Sequence, residues 1–95
     1  MAQVTAKTRQ RIERDLAWSL DEWGRLPEVA AEIDTWDQLD QIIFIEEWPL
    51  EEDRLRRLER YAAEGALTAE QRDRYEQLLH LVAQNRPIIE RLRAS

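Results

Sequence analysis

Apolar residues recur at intervals of three and four through most of the chain, and this spacing places them along one face of an α-helix. The first such face predicts a helix from about Thr5 to Trp23, with Gly24 as its C-terminal stop. Trp18 lies off that face, which indicates a second contact surface or a cation-π contact with Arg14.

A central helix is predicted to begin at Thr35, because Thr35-x-x-Gln38 has the spacing of a capping box, with Asp34 as the alternative N-cap. It is expected to end at Glu47, since Pro49 removes the next amide donor. The apolar residues 42–45 would then point in every direction, which is typical of a helix buried on several sides. The same residues have high strand propensity, but the chain offers no second strand to pair with them.

Four further helices are predicted from the punctuation of the chain: a short one from Pro27, one from Pro49 to Gly65, one from Ala69 to Gln84, and a short terminal helix after a turn or kink at residues 85–87. The linker Gly65-Ala66-Leu67-Thr68 is the clearest of these signals. Glycine favours the left-handed helix cap, and Thr68-x-x-Gln71 is again a capping box. We therefore predict an antiparallel helical hairpin around this linker.

Together these elements, four longer helices and two short ones, predict an all-α protein, a small bundle of four to five helices with short connections. Residues 1–95 should form a single helical domain, because a chain of 95 residues that is 43% hydrophobic is sufficient for one small core. The predicted core residues are Ile12, Leu16, Leu20, Trp23, Ile33, Trp36, Ile43, Phe44, Leu55, Leu58, Tyr75, Leu78, Leu79, Val82 and Ile89.

Charge is distributed unevenly along the chain. Residues 26–53 carry ten carboxylates and no Lys or Arg, whereas residues 54–95 carry nine Arg against six acids, within a net charge of -6. This asymmetry indicates electrostatic pairing, either within the chain or with a partner. Of the 14 basic residues only Lys7 is a lysine, and arginine is suited to fixed, bidentate pairs with carboxylates.

The composition also limits the chemistry. The chain has no cysteine, which excludes disulfides, thiolate metal sites and thiol nucleophiles. Its only histidine, His80, is predicted on the polar face of its helix, with no second nitrogen ligand nearby. The longest apolar run is four residues, far too short to span a membrane, and the N-terminus lacks the apolar centre of a signal peptide. We therefore expect a soluble, cytoplasmic protein without catalytic residues, cofactor or membrane partner.

Acidic and aromatic side chains are combined in the central segment, a composition that is typical of interaction hot spots ringed by charge. It predicts a non-enzymatic interaction module of the bacterial type that binds a protein partner through this segment. The candidate partner-binding residues are Trp18, Trp36, Asp37, Asp40, Glu47, Trp48 and Glu51.

Several large apolar residues fall outside the main apolar stripes of the predicted helices. Surplus residues of this kind on a small domain predict an isologous homodimer. They are Trp18, Trp48, Leu50 and Leu81.

Three other interpretations of the charged residues stay open. In the first, the acids are only the solvated face of amphipathic helices and are partly neutralised by nearby arginines. In the second, the protein is a small metal-dependent hydrolase or metal-binding protein, which needs at least three carboxylates in one cleft. The candidates for that cleft are Glu28, Glu32, Asp37, Asp40, Glu47 and Glu51.

The third interpretation is a nucleic-acid-associated regulator. It requires one continuous basic face, and the net negative charge makes nucleic acid an unfavoured partner. The residues that would form this face are Arg54, Arg57, Arg72 and Arg74.

Overall fold

A computed structural model describes residues 4–94, which contain four α-helices, one short 3-10 helix and no strand. Helix α1 is Ala6–Gly24 and α2 is Leu26–Glu32, followed by the 3-10 helix Ile33–Thr35; α3 is Gln38–Ala63 and α4 is Ala69–Ala94. The predicted all-α bundle is confirmed. Residues 1–3 and 95 of the predicted domain lie outside the described residues.

The three long helices lie side by side in an elongated bundle of 48 × 22 × 17 Å. Helix α3 runs antiparallel to α1, since Arg57 contacts Asp15 whereas Glu51 contacts Trp23 further along α1. Helix α4 runs parallel to α1, and the short α2 packs against α4 at the far end. The core is therefore a seam between three helices, and α2 covers only one end of it.

Most of the predicted core is buried. The confirmed positions are Ile12, Leu16, Trp23, Ile33, Leu58, Tyr75, Leu78, Val82 and Ile89, while Leu20, Trp36, Phe44 and Leu55 are half-buried. Two predictions are wrong, because Ile43 and Leu79 are exposed. The core also includes Leu26, Val29 and Trp48, of which Trp48 is one of the predicted surplus residues.

The hairpin between α3 and α4 forms as the sequence predicts. Gly65 adopts φ +72°, and the amides of Gly65 and Ala66 bond to the carbonyls of Ala62 and Tyr61, which closes α3 in a Schellman motif. The amide of Thr68 donates to the side chain of Gln71 at 3.0 Å, and the amide of Gln71 donates to the Thr68 hydroxyl at 3.1 Å. This reciprocal capping box begins α4.

The predicted start of the central helix at Thr35 is wrong. Thr35 belongs to the 3-10 helix, and its hydroxyl donates to the carbonyl of Glu32 instead of capping the next helix. Helix α3 begins after Asp37, whose side chain makes no capping hydrogen bond. The side-chain amide of Gln41 instead donates to the carbonyls of Ile33 and Trp36, at 2.8 and 3.0 Å, and ties α3 to the turn before it.

Two prolines that were expected to end or kink helices lie inside them. Pro49 is within α3 and Pro87 is within α4, so the predicted helix end at Glu47 and the separate terminal helix are both wrong. A proline inside a helix removes one hydrogen bond and crowds the carbonyl four residues earlier, at a cost of about 3 kcal/mol. Packing offsets this cost, because α1 contacts α3 on both sides of Pro49 through Trp23.

We expect Gly65→Ala to lower the free energy of unfolding by about 1–2 kcal/mol, because an alanine would be held in the left-handed region. Gly24→Ala is the matched control. Gly24 has no positive φ, and a Cβ there would lie 3.9 Å from Leu81, an ordinary contact distance. Urea unfolding should therefore show the control to be at least as stable as the wild type; equal losses at both positions would contradict the observed cap.

We expect Pro49→Ala and Pro87→Ala each to raise the free energy of unfolding by about 1–3 kcal/mol. Each change restores an amide donor inside a continuous helix, while the exposed proline rings contribute little packing. Thermal unfolding of the two single variants measures this effect. A loss of stability in either variant would indicate that the chain breaks at that proline.

Candidate functional site

The carboxylate of Glu51 is bound by side chains from α1 and α3. The Ser19 hydroxyl and the Trp23 indole donate to its Oε2 at 2.8 and 3.2 Å, and Arg54 donates to its Oε1 at 2.5 Å. Glu51 is only 4% exposed. Burial raises the pKa of the Glu51 carboxyl, and the three hydrogen bonds oppose this effect without overcoming it.

Other ion pairs cross between the helices beside Glu51. Asp15 accepts two hydrogen bonds from Arg57, at 3.0 and 3.1 Å, and its Oδ1 lies 3.9 Å from Arg54. Arg86 on α4 donates to both oxygens of Glu52 on α3, at 2.9 and 3.3 Å. The planar guanidinium suits these bidentate pairs, as the preference for arginine over lysine predicts.

These pairs weaken the case for a nucleic-acid interface. That interface needs one basic face, yet Arg54 and Arg57 are bound to acids of the same chain, and Arg74 is paired with Glu13. Of the four predicted arginines, only the exposed Arg72 lacks such a pair within residues 4–94. Three of the four arginines proposed for a basic face therefore join helices within the protein.

Four aromatic rings form a continuous chain from α1 along the first half of α3. Trp23 and Trp48 meet edge to face with their centroids 5.0 Å apart, and Phe44 contacts Trp48 and Trp36 at 5.8 Å each. The buried Nε1 of Trp48 has no hydrogen-bond partner within the described part of the chain. Trp48 thus stabilises α3 by packing alone, which explains its burial in the core.

A cleft of about 150 Å³ opens between α1 and α3 beside this chain of rings. Four of the seven predicted partner-binding residues line it: Trp18, Glu47, Trp48 and Glu51. Its other lining residues are Glu22, Phe44, Leu50 and Arg54. The Arg54 guanidinium lies 5.1 Å from the centre of the Trp18 ring, so the expected cation-π contact forms with Arg54 and not with Arg14.

The predicted partner-binding residues differ in their accessibility. Trp18 is 58% exposed, and Asp37, Asp40 and Glu47 are also exposed. Trp48 and Glu51 are buried, so they support the cleft from below and offer little surface to a partner. Trp36 is half-buried against Phe44, and neither it nor Asp37 nor Asp40 lines the cleft.

Sequence reasoning missed an exposed apolar surface on the first half of α3. Leu39, Ile42, Ile43 and Leu50 are 60%, 44%, 42% and 64% exposed, and we call these four residues the outer face of α3. At about 100° per residue, three of them lie within about 40° of one another, and Ile42 lies about 60° to one side. By the same count the outer face lies about 100° to 180° from Phe44 and Trp48, and Leu50 reaches the edge of the cleft.

Helix α1 leaves the outer face uncovered, because it contacts the other side of α3, which carries Trp48 and Glu51. Helix α1 ends at Gly24, opposite Trp48 and Glu51, so residues 38–47 extend past it, and α2 packs mainly against α4. The expected burial of this helix on several sides is therefore wrong for the single chain. The apolar run at residues 42–45 was the signal, because a helix that is apolar all round requires cover on more than one side.

Acidic side chains beside the outer face have no basic partner. Within residues 4–94, none of Asp37, Asp40, Glu46 and Glu47 forms an ion pair, and all four are exposed. The acids that are paired lie elsewhere: Glu13, Asp15, Glu51 and Glu52 at contacts between helices, and Glu22 and Asp53 in local i,i+3 pairs. The first half of α3 therefore combines exposed apolar side chains with unneutralised negative charge.

The structure does not bring together the carboxylates that a metal site requires. No group of three or more His, Asp or Glu side chains in the described part of the chain is placed to hold a metal ion. His80 is exposed on α4. Among the described helices, none has the length and apolar character needed to cross a membrane.

Comparison with protein-family models, curated proteins and solved structures gives no match for this chain. Its function is therefore inferred from the geometry of residues 4–94.

We expect Glu51→Gln to remove a pH-dependent part of the stability. Because the raised pKa means that the folded protein holds this proton more tightly than the unfolded chain, the stability from Glu51 is fully present below pH 4.5 and is lost as the pH rises through the folded-state pKa. The unfolding free energy of wild type minus that of Glu51→Gln should therefore fall as the pH rises from 4.5. Urea unfolding at a series of pH values measures it.

Glu13→Gln is a control of opposite sign. Hydrogen bonds from Gln71 and Arg74 lower the pKa of Glu13, so its contribution is present above pH 4.5 and is lost as the pH falls through the folded-state pKa. The unfolding free energy of the wild type minus that of Glu13→Gln should therefore fall as the pH decreases. A Glu51 difference that is flat, or that rises with pH, would show that its hydrogen bonds outweigh the cost of its burial.

Proposed function

We propose that the protein is a non-enzymatic interaction module that binds a protein partner through its acidic, aromatic-containing central segment. The contact surface consists of the outer face of α3, the exposed ring of Trp18 and the acids Asp40 and Glu47. Trp48 and Glu51 lie beneath this surface and hold α3 against α1. We further propose that the protein acts in the cytoplasm.

One observation carries the proposal: the first half of α3 has apolar side chains both on the side of Phe44 and Trp48 and on the outer face, and the described residues cover only the first of these. Four large apolar side chains stay 42–64% exposed on the other side. An exposed leucine by itself is ordinary, but several large exposed apolar residues along one side of a helix in a small domain mark an interaction surface. A partner helix laid along this row would supply the missing cover.

Two further features favour this proposal over the interpretation in which the acids are only the solvated face of amphipathic helices. Trp18 is 58% exposed, whereas solvation alone gives no reason for a large aromatic ring at the surface. Of the arginines expected to neutralise the central acids, Arg54 and Arg56 pair with Glu51 and Asp53 at the C-terminal end of the segment, and Arg57 pairs with Asp15 on α1. The charge of Asp40 and Glu47 is therefore available to a partner.

The homodimer stays a prediction. Of the four surplus residues on which it was based, Trp18 and Leu50 are exposed, whereas Trp48 is buried and Leu81 packs against the core. The last two residues are therefore at least partly engaged within the chain. The exposed pair lies at the cleft beside the outer face, so a second copy and a different protein would compete for the same surface.

We expect the full chain to bind an uncharged amphipathic peptide of about 16 residues, with leucines on one face and glutamines flanking them. In an NMR titration of ¹⁵N-labelled protein, the shifted amides should lie at residues 38–50, together with the Trp18 indole. The double variant Leu39→Ser/Ile43→Ser should lower the affinity for this peptide at least about tenfold, because two partly exposed apolar contacts are lost.

Leu79→Ser is the matched control, since Leu79 is an equally exposed apolar residue on α4. It should leave the affinity unchanged. The proposal fails if no amide of α3 shifts, or if the two variants bind the peptide equally well.

A further inference from the structure

We infer that the partner's contact element is a basic amphipathic helix of about three turns or more, whose leucine-like side chains cover the outer face of α3 and whose arginine or lysine side chains meet Asp40, Glu46 and Glu47. This inference rests on the proposed function and adds the chemistry of the partner. It is drawn from the distribution of charge around the outer face, from the contacts of Arg54 and from the length of the exposed row.

Negative charge lies both within the apolar row and along one of its flanks. At about 100° per residue, Glu46 lies about 20° from Leu39, whereas Glu47 and Asp40 lie about 80° and 100° away on the flank that borders the cleft. Residues 26–53 contain no Lys or Arg to neutralise them. A partner that covers the row must therefore face several carboxylates, and positive side chains are the ones that reduce this cost.

A second copy of the chain is poorly suited to this surface. In an isologous contact the same patch faces itself, so the acids of one copy would meet the acids of the other. The nearest basic residues are already engaged, since Arg54 binds Glu51 and Arg56 binds Asp53. Self-association would thus bring like charges together around the outer face, and this repulsion disfavours a second copy as the partner.

The cleft shows how a guanidinium is bound next to the outer face. Arg54 lies over the Trp18 ring at 5.1 Å and donates to Glu51, so an aromatic ring and a carboxylate already bind one basic group. Trp18 keeps 58% of its surface exposed, and Glu47 on the same cleft has no ion pair within the described residues. A second basic group, supplied by the partner, can use these two side chains in the same way.

The length of the exposed row sets the size of the partner helix. Leu39 and Leu50 are eleven residues apart, which is about 16 Å along a helix axis at 1.5 Å per residue. A helix of three turns covers this distance. Its leucine-like residues need the spacing i, i+4, i+7 and i+11, with basic residues on the side that faces Asp40 and Glu47.

The test uses the full chain and three peptides with the same leucine pattern, whose flanking positions are all arginine, all glutamine or all glutamate. Fluorescence anisotropy of the labelled peptides gives their affinities. We expect the arginine peptide to bind at least about tenfold more tightly than the glutamate peptide at low ionic strength. The ratio should fall markedly at about 0.5 M NaCl, because salt screens exposed charges.

Charge-reversal variants identify the responsible acids. Asp40→Arg/Glu47→Arg should lower the affinity for the arginine peptide about tenfold and raise that for the glutamate peptide. Glu64→Arg/Glu76→Arg makes the same change in net charge at exposed acids elsewhere, immediately after α3 and on α4, and should keep the wild-type preference.

The outcomes separate this inference from the proposed function. If all three peptides bind equally at the outer face, the partner is not selected by charge; this inference is overturned and the proposed function stands. If no peptide binds and the chain is monomeric, both fail. If sedimentation shows a dimer that Leu39→Ser/Ile43→Ser dissociates, and no peptide binds, the occupant is a second copy and the basic helix is excluded.

Discussion

The indole of Trp23 joins α1 to both of the other long helices at the points where those helices contain proline. It packs edge to face on Trp48 and donates to Glu51, residues that lie on either side of Pro49. The carbonyl of Trp23 accepts a 2.7 Å hydrogen bond from Asn85, and Arg86 lies over its ring, both immediately before Pro87. One buried residue thus supplies packing and hydrogen bonds that offset the cost of two helix-breaking residues.

The candidate interaction surface depends on this arrangement. Because α3 continues through Pro49, its first half belongs to the same helix that forms the hairpin with α4, although α1 ends opposite Trp48. Phe44 and Trp48 pack on one side of that half-helix, and the outer face lies away from them. Continuity of the helix therefore turns an acidic, apolar segment into a preorganised surface, which reduces the ordering cost of binding.

Features that depend on neighbouring residues were predictable from the sequence, whereas those that depend on distant residues were not. Gly65 and the Thr68–Gln71 spacing mark a hairpin because both caps are closed by residues within the linker. Pro49 indicates a helix end by every local rule, whereas the contacts of its neighbours Trp48 and Glu51 with Trp23 hold the helix together. The sequence pattern also identified four of the residues that line the cleft, but their arrangement in space depends on where α1 ends. Ile43 looked like a core residue because periodicity detects apolar sides without showing whether the chain covers them.

The central claim is that the first half of α3 is a formed helix that lacks cover on one side until a partner binds. Hydrogen exchange of amides 42–48, measured in the free protein and with saturating arginine peptide, tests it most directly, with amides 72–82 of α4 as the internal reference. The account predicts weaker protection than in the reference segment for the free protein, and a clear gain on binding. Protection that already equals the reference, and that the peptide leaves unchanged, would contradict it.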